Sequence, residues 1–354
     1  MICVFFITIF EVRNLVEIQR IKIQAMAENN ANPLLPRVGL THGDINGISY
    51  ETILKAFGDS RMMGTMTPIL YGQSKALSYY KKNFGLDEFS YSLTRDARQS
   101  WNQKFNIINI VDDELKIEAG KPTEVSAQMS LLSMKKAAED LNNGYIDALV
   151  MTPTCRAIEK SNNDFLLSFH KGSDAMRVMV SDMLRIGLVT DDIPIAEAVK
   201  LIDSKRIGQR LHTFAKALKA DFEIASPKIA VLGLDPYSSD DSPENDMVSA
   251  AIKAARESGV YAFGPFPTTQ LFDGSLWQKY DAVLALYQEQ ACLPLRMLSL
   301  GGNAFYWAGL PVLCAAPIQG PGFEIANTKQ ARPDALRAAL YLVMDILNHR
   351  SSTK

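Results

Sequence analysis

RVGLTHGDINGISYE, residues 37–51, is the stretch on which the reading of this chain turns. Residues 37–40 form a short apolar strand that runs directly into a glycine turn and then a helical pattern. Gly43 and Gly47 allow positive φ and close approach of a ligand to the backbone. Asp44 places a carboxylate at a strand-to-helix junction, where ligands of α/β proteins sit.

Outward from that stretch, strand-like and helical patterns alternate. PILYG (68–72), FNIINIV (105–111), IDALVMTP (146–153), RIGLVT (185–190), KIAVLGL (228–234) and YDAVLALY (280–287) read as buried strands. Helical periodicity covers 123–142, 195–218, 244–258 and 333–347. This alternation predicts an α/β protein whose sheets are mainly parallel, with helices on both faces. At 354 residues the chain exceeds one typical domain. The expectation is two α/β/α domains around a cleft, residues 37–146 plus 300–354 and residues 147–299, exchanging strands across a hinge.

Residues 1–36 read as a leader. The apolar run 3–10 lacks a positive segment before it, is too short to span a bilayer and is followed by no small-residue cleavage site, so no signal peptide is expected. Met26 opens a polar stretch and is an alternative start; the rival reading is a short membrane-surface helix.

A formal net charge of -2 argues against a nucleic-acid partner, which would demand a basic surface. Cys3, Cys155, Cys292 and Cys314 show no CxxC spacing, which excludes the common zinc-knuckle and redox patterns and suits a reducing cytoplasm. MTPTCR, TDDIP, LDPYSSDD and YQEQAC each follow a strand, and such loops are expected to converge on a ligand crevice. The plainer reading is that these polar residues only turn the chain.

In order, THGDINGISYE, IDALVMTPTCR, LRIGLVTDDIPIAEA, PKIAVLGLDPYSSDD, GPFPTTQLF, YDAVLALYQEQACLPLR and AGLPVLCAAPIQGPGFEIA resemble the 4-hydroxythreonine-4-phosphate dehydrogenase family of vitamin B6 biosynthesis, collinearly over residues 37–350. The resemblance implies a homodimer of two-domain subunits related in fold to isocitrate and isopropylmalate dehydrogenases. It further implies NAD-dependent oxidation of a phosphorylated hydroxy-amino acid followed by decarboxylation, with a divalent metal as Lewis acid.

This sequence departs from the family where the chemistry resides. The three metal-binding histidines correspond to Asp192, Tyr237 and Gln288. The substrate-binding GHTE segment corresponds to Asn162, Asn163 and Asp164. In the anion clamp Arg296 keeps a cation in place of lysine, but the family's asparagine is Phe305 and its arginine is Cys314, which removes a bidentate contact. Arg156 preserves only the positive charge of the TAPINK segment.

Of the remaining histidines, His42 reads as a local variant of the glycine turn, and His170, His212 and His349 fall on loop or helix surfaces. Asp192, Asp235, Asp240 and Glu289 offer a carboxylate alternative for a hard cation, but correlated loss of ligands and clamp points to a lost reaction. No catalytic residue is assigned. Asp44, Asn162, Asn163, Arg156 and Arg296 are the candidate contacts for a small anionic metabolite or nucleotide. The sequence thus predicts a family homologue without a divalent metal, its dehydrogenase activity lost or strongly altered and NAD expected by resemblance alone. The alternative is a non-catalytic, ligand-binding or regulatory subunit that pairs with an active paralogue.

Overall fold

Strands that lie inside a sheet covered on both faces are apolar throughout, and the middle of this sheet follows that rule. β1 (Arg37–Thr41) buries its last four residues and β2 (Thr67–Gly72) all six. The computed structural model describes residues 34–111, 116–236, 242–299 and 301–352, so the leader expected at 1–36 lies outside the described residues apart from 34–36. From Pro36 onward the chain groups as one compact unit.

The remaining strands are β3 (Ser92–Leu93), β4 (Asn106–Asn109), β5 (Ala148–Val150), β6 (Met176–Val180), β7 (Arg185–Leu188), β8 (Lys228–Leu232), β9 (Tyr261–Phe266), β10 (Ala282–Ala285), β11 (Ala304–Ala308) and β12 (Leu313–Pro317). They form one twelve-stranded sheet in the order β3-β4-β2-β1-β5-β12-β11-β6-β7-β10-β8-β9. Pairing is parallel except for β12 with β11, β11 with β6, and β6 with β7. Three successive reversals therefore separate β5 from β7. The carboxyl end of β5 lies at one edge of the sheet, and those of β7, β8 and β10 lie at the other. The four loops expected to converge consequently leave from opposite ends of the strands; the segments after β5 and β7 nevertheless meet at the cleft described below, and residues 237–241 of the loop after β8 lie outside the described residues.

Helices α1 (Ser49–Phe57), α2 (Ser74–Phe84), α3 (Glu124–Asn142), α4 (Arg156–Ser168), α5 (Ile195–Leu201), α6 (Ser204–Phe222), α7 (Pro243–Glu257), α8 (Thr268–Phe272), α9 (Gln288–Leu298) and α10 (Asp334–Ser352) complete the fold. One core lies beneath α1, α2, α6, α7 and α10. A second core on the opposite face packs Met134 of α3, Leu166 of α4 and Ala291 of α9 against Leu149, Trp307 and Ile186 of the sheet. The single helix expected over 195–218 is broken. Ile202 is extended (ψ 113°), and the Asp203 carboxylate accepts from the Arg206 amide at 2.7 Å as the cap of a new helix.

The C-terminal helix is tied down by a buried ionic cluster. Asp221 of α6 accepts from Tyr306 Oη of β11 at 2.9 Å and from Arg350 Nε of α10 at 2.6 Å. Among the described residues no helix is long and apolar enough to cross a membrane.

Candidate functional site

The glycine turn is densely bonded to the segments around it. Gly43 adopts φ +63°, and a Cβ there would lie 2.3 Å from Ser49 Oγ and 2.5 Å from the Pro153 carbonyl oxygen. A Cβ on Gly47 would lie 2.5 Å from the Pro321 carbonyl oxygen. The space that a glycine leaves open is thus filled by the segments following β5 and β12. Backbone bonds seal it: Asp44 N donates to Pro153 O at 3.0 Å, and Ile48 N donates to Pro321 O at 2.9 Å.

A stripe of serines on α3 holds the turn from the other side. Ser126 Oγ donates to Asp44 Oδ2 at 3.1 Å, Ser130 Oγ to Gly43 O at 2.5 Å, and Ser133 Oγ accepts from His42 N at 3.0 Å. Spacings of four and three residues put these hydroxyls on one helix face. Asp44, 2% exposed, also accepts from Asn46 N at 2.9 Å, and burial raises its pKa. Glu51 accepts from Lys55 Nζ at 2.7 Å and from Ala331 N at 3.0 Å, fastening the segment before α10. His42 is fully buried beside Tyr50 Oη at 3.3 Å, and burial lowers its pKa to about 4.

A cleft of about 670 Å³ opens elsewhere, on the second face of the sheet. Its floor comes from the antiparallel centre, where Arg177 of β6 is in register with Trp307 of β11. The Arg177 guanidinium stands 5.1 Å from the Phe305 ring centroid, a cation–π contact. One wall is α4, which starts at the end of β5 and runs back over the sheet with Lys160, Asn163 and Asp164; the other is Asp191 and Asp192 in the loop after β7. A smaller recess of about 30 Å³, lined by Thr152, Asn162 and Gln319, adjoins it, with Glu159 bordering both.

The cleft unites several of the residues singled out in the sequence. Asn163, Asp164 and Asp192 line it, and Asn162, 3% exposed, faces the recess. The amide oxygens of Asn162, Asn163 and Gln288 are buried without a hydrogen-bond partner. Arg296 is exposed on α9; its charge and those of Arg177, Glu289 and Asp192 all act on the Cys292 thiol, whose pKa burial pushes up. The Arg156 side chain, Tyr237 and Asp240 lie outside the described residues. Asp44 belongs to the packed turn and not to the lining of this cleft. Cys314 is fully buried in β12, and burial pushes its thiol far up, so it stays neutral.

Sequence reasoning missed Arg177 and Trp307. The available signal was one arginine inside the apolar run MRVMV, since charged residues are rarely buried without a role. Two of the other histidines serve local structure: His212 contacts Gly208 O at 2.8 Å and Ser258 Oγ at 2.7 Å, and His349 contacts Asp221 O at 2.8 Å.

Comparison with known proteins bears on the family and the fold. The family model for the pyridoxal phosphate biosynthetic protein PdxA matches residues 64–343. A 4-hydroxythreonine-4-phosphate dehydrogenase of Bacteroides thetaiotaomicron is 31% identical over 331 residues, covering 90% of either chain. One from a Sulfurihydrogenibium species is 26% identical, covering 87% of this chain and 97% of its own. The solved 4-hydroxythreonine-4-phosphate dehydrogenase of Klebsiella pneumoniae has the same fold, with a TM-score of 0.73 at 21% identity over 89% of this chain and 99% of its own.

Gly43→Ala is expected to cost about 3 kcal/mol or more, combining a left-handed backbone with three overlapping neighbours; urea unfolding checks it, and a change below about 1 kcal/mol contradicts the packing described. The buried His42 sets a pH dependence. Its folded pKa of about 4 lies below the ordinary 6.5, so below pH 6.5 the unfolded state binds the extra proton and stability falls as pH drops. The loss approaches about 3 kcal/mol near pH 4, and unfolding of His42→Gln across this window should lack that component.

Proposed function

The chain belongs to the pyridoxal phosphate biosynthetic protein PdxA family, and from this we propose that it keeps the family's scaffold and ligand cleft but has lost metal-dependent oxidation of 4-phosphohydroxythreonine. The observation that carries this reading is the donor set. At the family's three imidazole positions stand a half-buried carboxylate, Asp192, the neutral amide of Gln288, and Tyr237. Among the described residues no three His, Cys, Asp or Glu side chains gather as a metal-binding group. One carboxylate and one amide in place of imidazoles are a poorer donor set for a Lewis-acid metal than the resemblance implies, and this supports the reading that the metal is lost. The clamp supports the same reading, because the neutral Cys314 and the aromatic Phe305 stand where anion-binding side chains are implied.

What remains is a binding cleft. Buried amide oxygens without partners at Asn162 and Asn163 are the groups that a bound ligand would satisfy. NAD is retained in this proposal only as a candidate ligand. A second reading, pairing with another family subunit or a second copy of this chain, draws on apolar side chains left exposed on the helices after β7 and β10. Val199 is 51% exposed on α5, and Leu293 and Met297 are 63% and 78% exposed, one turn apart on α9.

NADH production from 4-phosphohydroxythreonine is expected to be about a thousandfold or more below that of an active family member, equivalent to about 4 kcal/mol of lost transition-state stabilisation. Elemental analysis of protein purified without chelators should find far less than one divalent metal per chain. Asp192→His, Tyr237→His and Gln288→His combined should stay inactive, because the clamp is still missing. Ordinary turnover or a stoichiometric metal would overturn the proposal. For the pairing, light scattering should show a dimer that Val199→Glu with Met297→Glu dissociates; a monomeric parent protein would exclude self-association.

A further inference from the structure

A second pocket, of about 160 Å³, lies remote from the cleft, where α6 passes the turn between α7 and β9. Helix α6 packs on the first face of the sheet through Leu211, Phe214 and Leu218, whereas the cleft opens on the second. His212, Ala215, Lys216 and Lys219 line the pocket from α6, and this spacing puts them on one helix face. The facing wall is pinned to the helix. His212 Nδ1 donates to Gly208 O at 2.8 Å, since a carbonyl can only accept, and Nε2 stands 2.7 Å from Ser258 Oγ at the end of α7.

The charge in this pocket is of one sign. Lys216 and Lys219 are exposed, and among the described residues neither forms an ion pair and no acidic side chain lines the pocket. The nearby carboxylates are engaged elsewhere or stand outside it. Asp221 holds Tyr306 and Arg350, Glu223 lies 3.9 Å from His349, and Asp281 accepts from Lys228 N at 2.7 Å. Glu257, next to Ser258, is exposed and outside the lining. The carboxyl end of α7 would present partial negative charge, but its carbonyls are occupied. Ala255 O accepts from Ser258 Oγ at 2.8 Å and from Val260 N at 3.0 Å, and Arg256 O accepts from Gly259 N at 2.9 Å.

Two ammonium groups one turn apart are compact charges with rotatable donors, which suit a tetrahedral oxyanion better than the planar fork that a carboxylate matches. A phosphate monoester, carrying nearly two negative charges near neutral pH, balances both. The pocket has several times the roughly 30 Å³ share of one liquid water, so it has room for more than the phosphoryl group. Its remaining lining is apolar in character, with Val260 and Pro227 buried and the Tyr261 ring 56% exposed. We propose that this pocket is a second ligand site, taking a phosphate monoester with a small apolar body. Lys216 and Lys219 receive the phosphoryl oxygens, and Tyr261 covers the body. The site stands on residues that the cleft does not share, so it holds whatever the cleft binds.

The full-length chain is titrated calorimetrically with phenyl phosphate, inorganic phosphate and benzoate, each at up to millimolar concentration. Phenyl phosphate should bind at least tenfold more tightly than benzoate, and more tightly than inorganic phosphate. Lys216→Gln with Lys219→Gln should weaken phenyl phosphate tenfold or more, and Tyr261→Ala should bring it down to the level of inorganic phosphate. All three side chains are exposed, so the variants should keep the parent melting temperature. Lys160→Gln, in the cleft, is the parallel variant that locates the ligand. No binding of phenyl phosphate, equal or tighter binding of benzoate, unchanged binding in the double lysine variant, or a loss in Lys160→Gln in its place would each overturn the proposal.

Discussion

The structure depends on the closure of the Gly43 turn against Pro153 and Ser49. Two chain segments distant in sequence, those leaving β5 and β12, converge on one point and fill the space that any larger residue would need. Because β1 and β12 flank β5 as parallel neighbours, this point fixes the carboxyl ends of three adjacent strands together. The serine face of α3 then registers the helix on the sheet through hydroxyls instead of apolar contacts. Buried polar contacts of this kind tolerate little displacement, because each orphaned partner costs roughly 1–3 kcal/mol.

The cleft follows from a different constraint, the reversal of direction through β12, β11, β6 and β7. A purely parallel sheet would send every following loop to one edge. Here α4 must travel back along the sheet face to meet the loop after β7, so the lining of the cleft comes from the flank of a helix as well as from a loop after a strand. The antiparallel strands supply the floor, and their tight register brings Phe305, Trp307 and Arg177 together, with the two rings 4.9 Å apart.

The electrostatics of the two regions differ accordingly. Around the turn, burial drives the titratable groups toward neutrality: the His42 pKa falls and that of Asp44 rises. In the cleft, charges of both signs stay close to solvent and to one another, with Asp191 and Glu159 about half and two-fifths exposed beside a buried guanidinium. The first arrangement suits stability and the second suits exchange of partners.

Alternation of apolar strands with helical periodicity determined the α/β class, because the spacing of side chains along a strand or helix is local and visible in order. The collinear motifs determined the family. Other features were invisible there. The role of THGDINGISYE, whose glycines face protein and whose Asp44 and Glu51 bond to α3 and the segment before α10, depends on contacts spanning 82 and 280 residues. The break at Ile202 was hidden because the apolar pattern continues across it, while backbone geometry and the Asp203 cap set the boundary. Arg177 became part of the cleft only in three dimensions: strand pairing placed it beside Trp307, and helix packing left the space above it open. Local periodicity is written in the chain, whereas strand direction and the vacancy between packed elements arise only when distant segments meet.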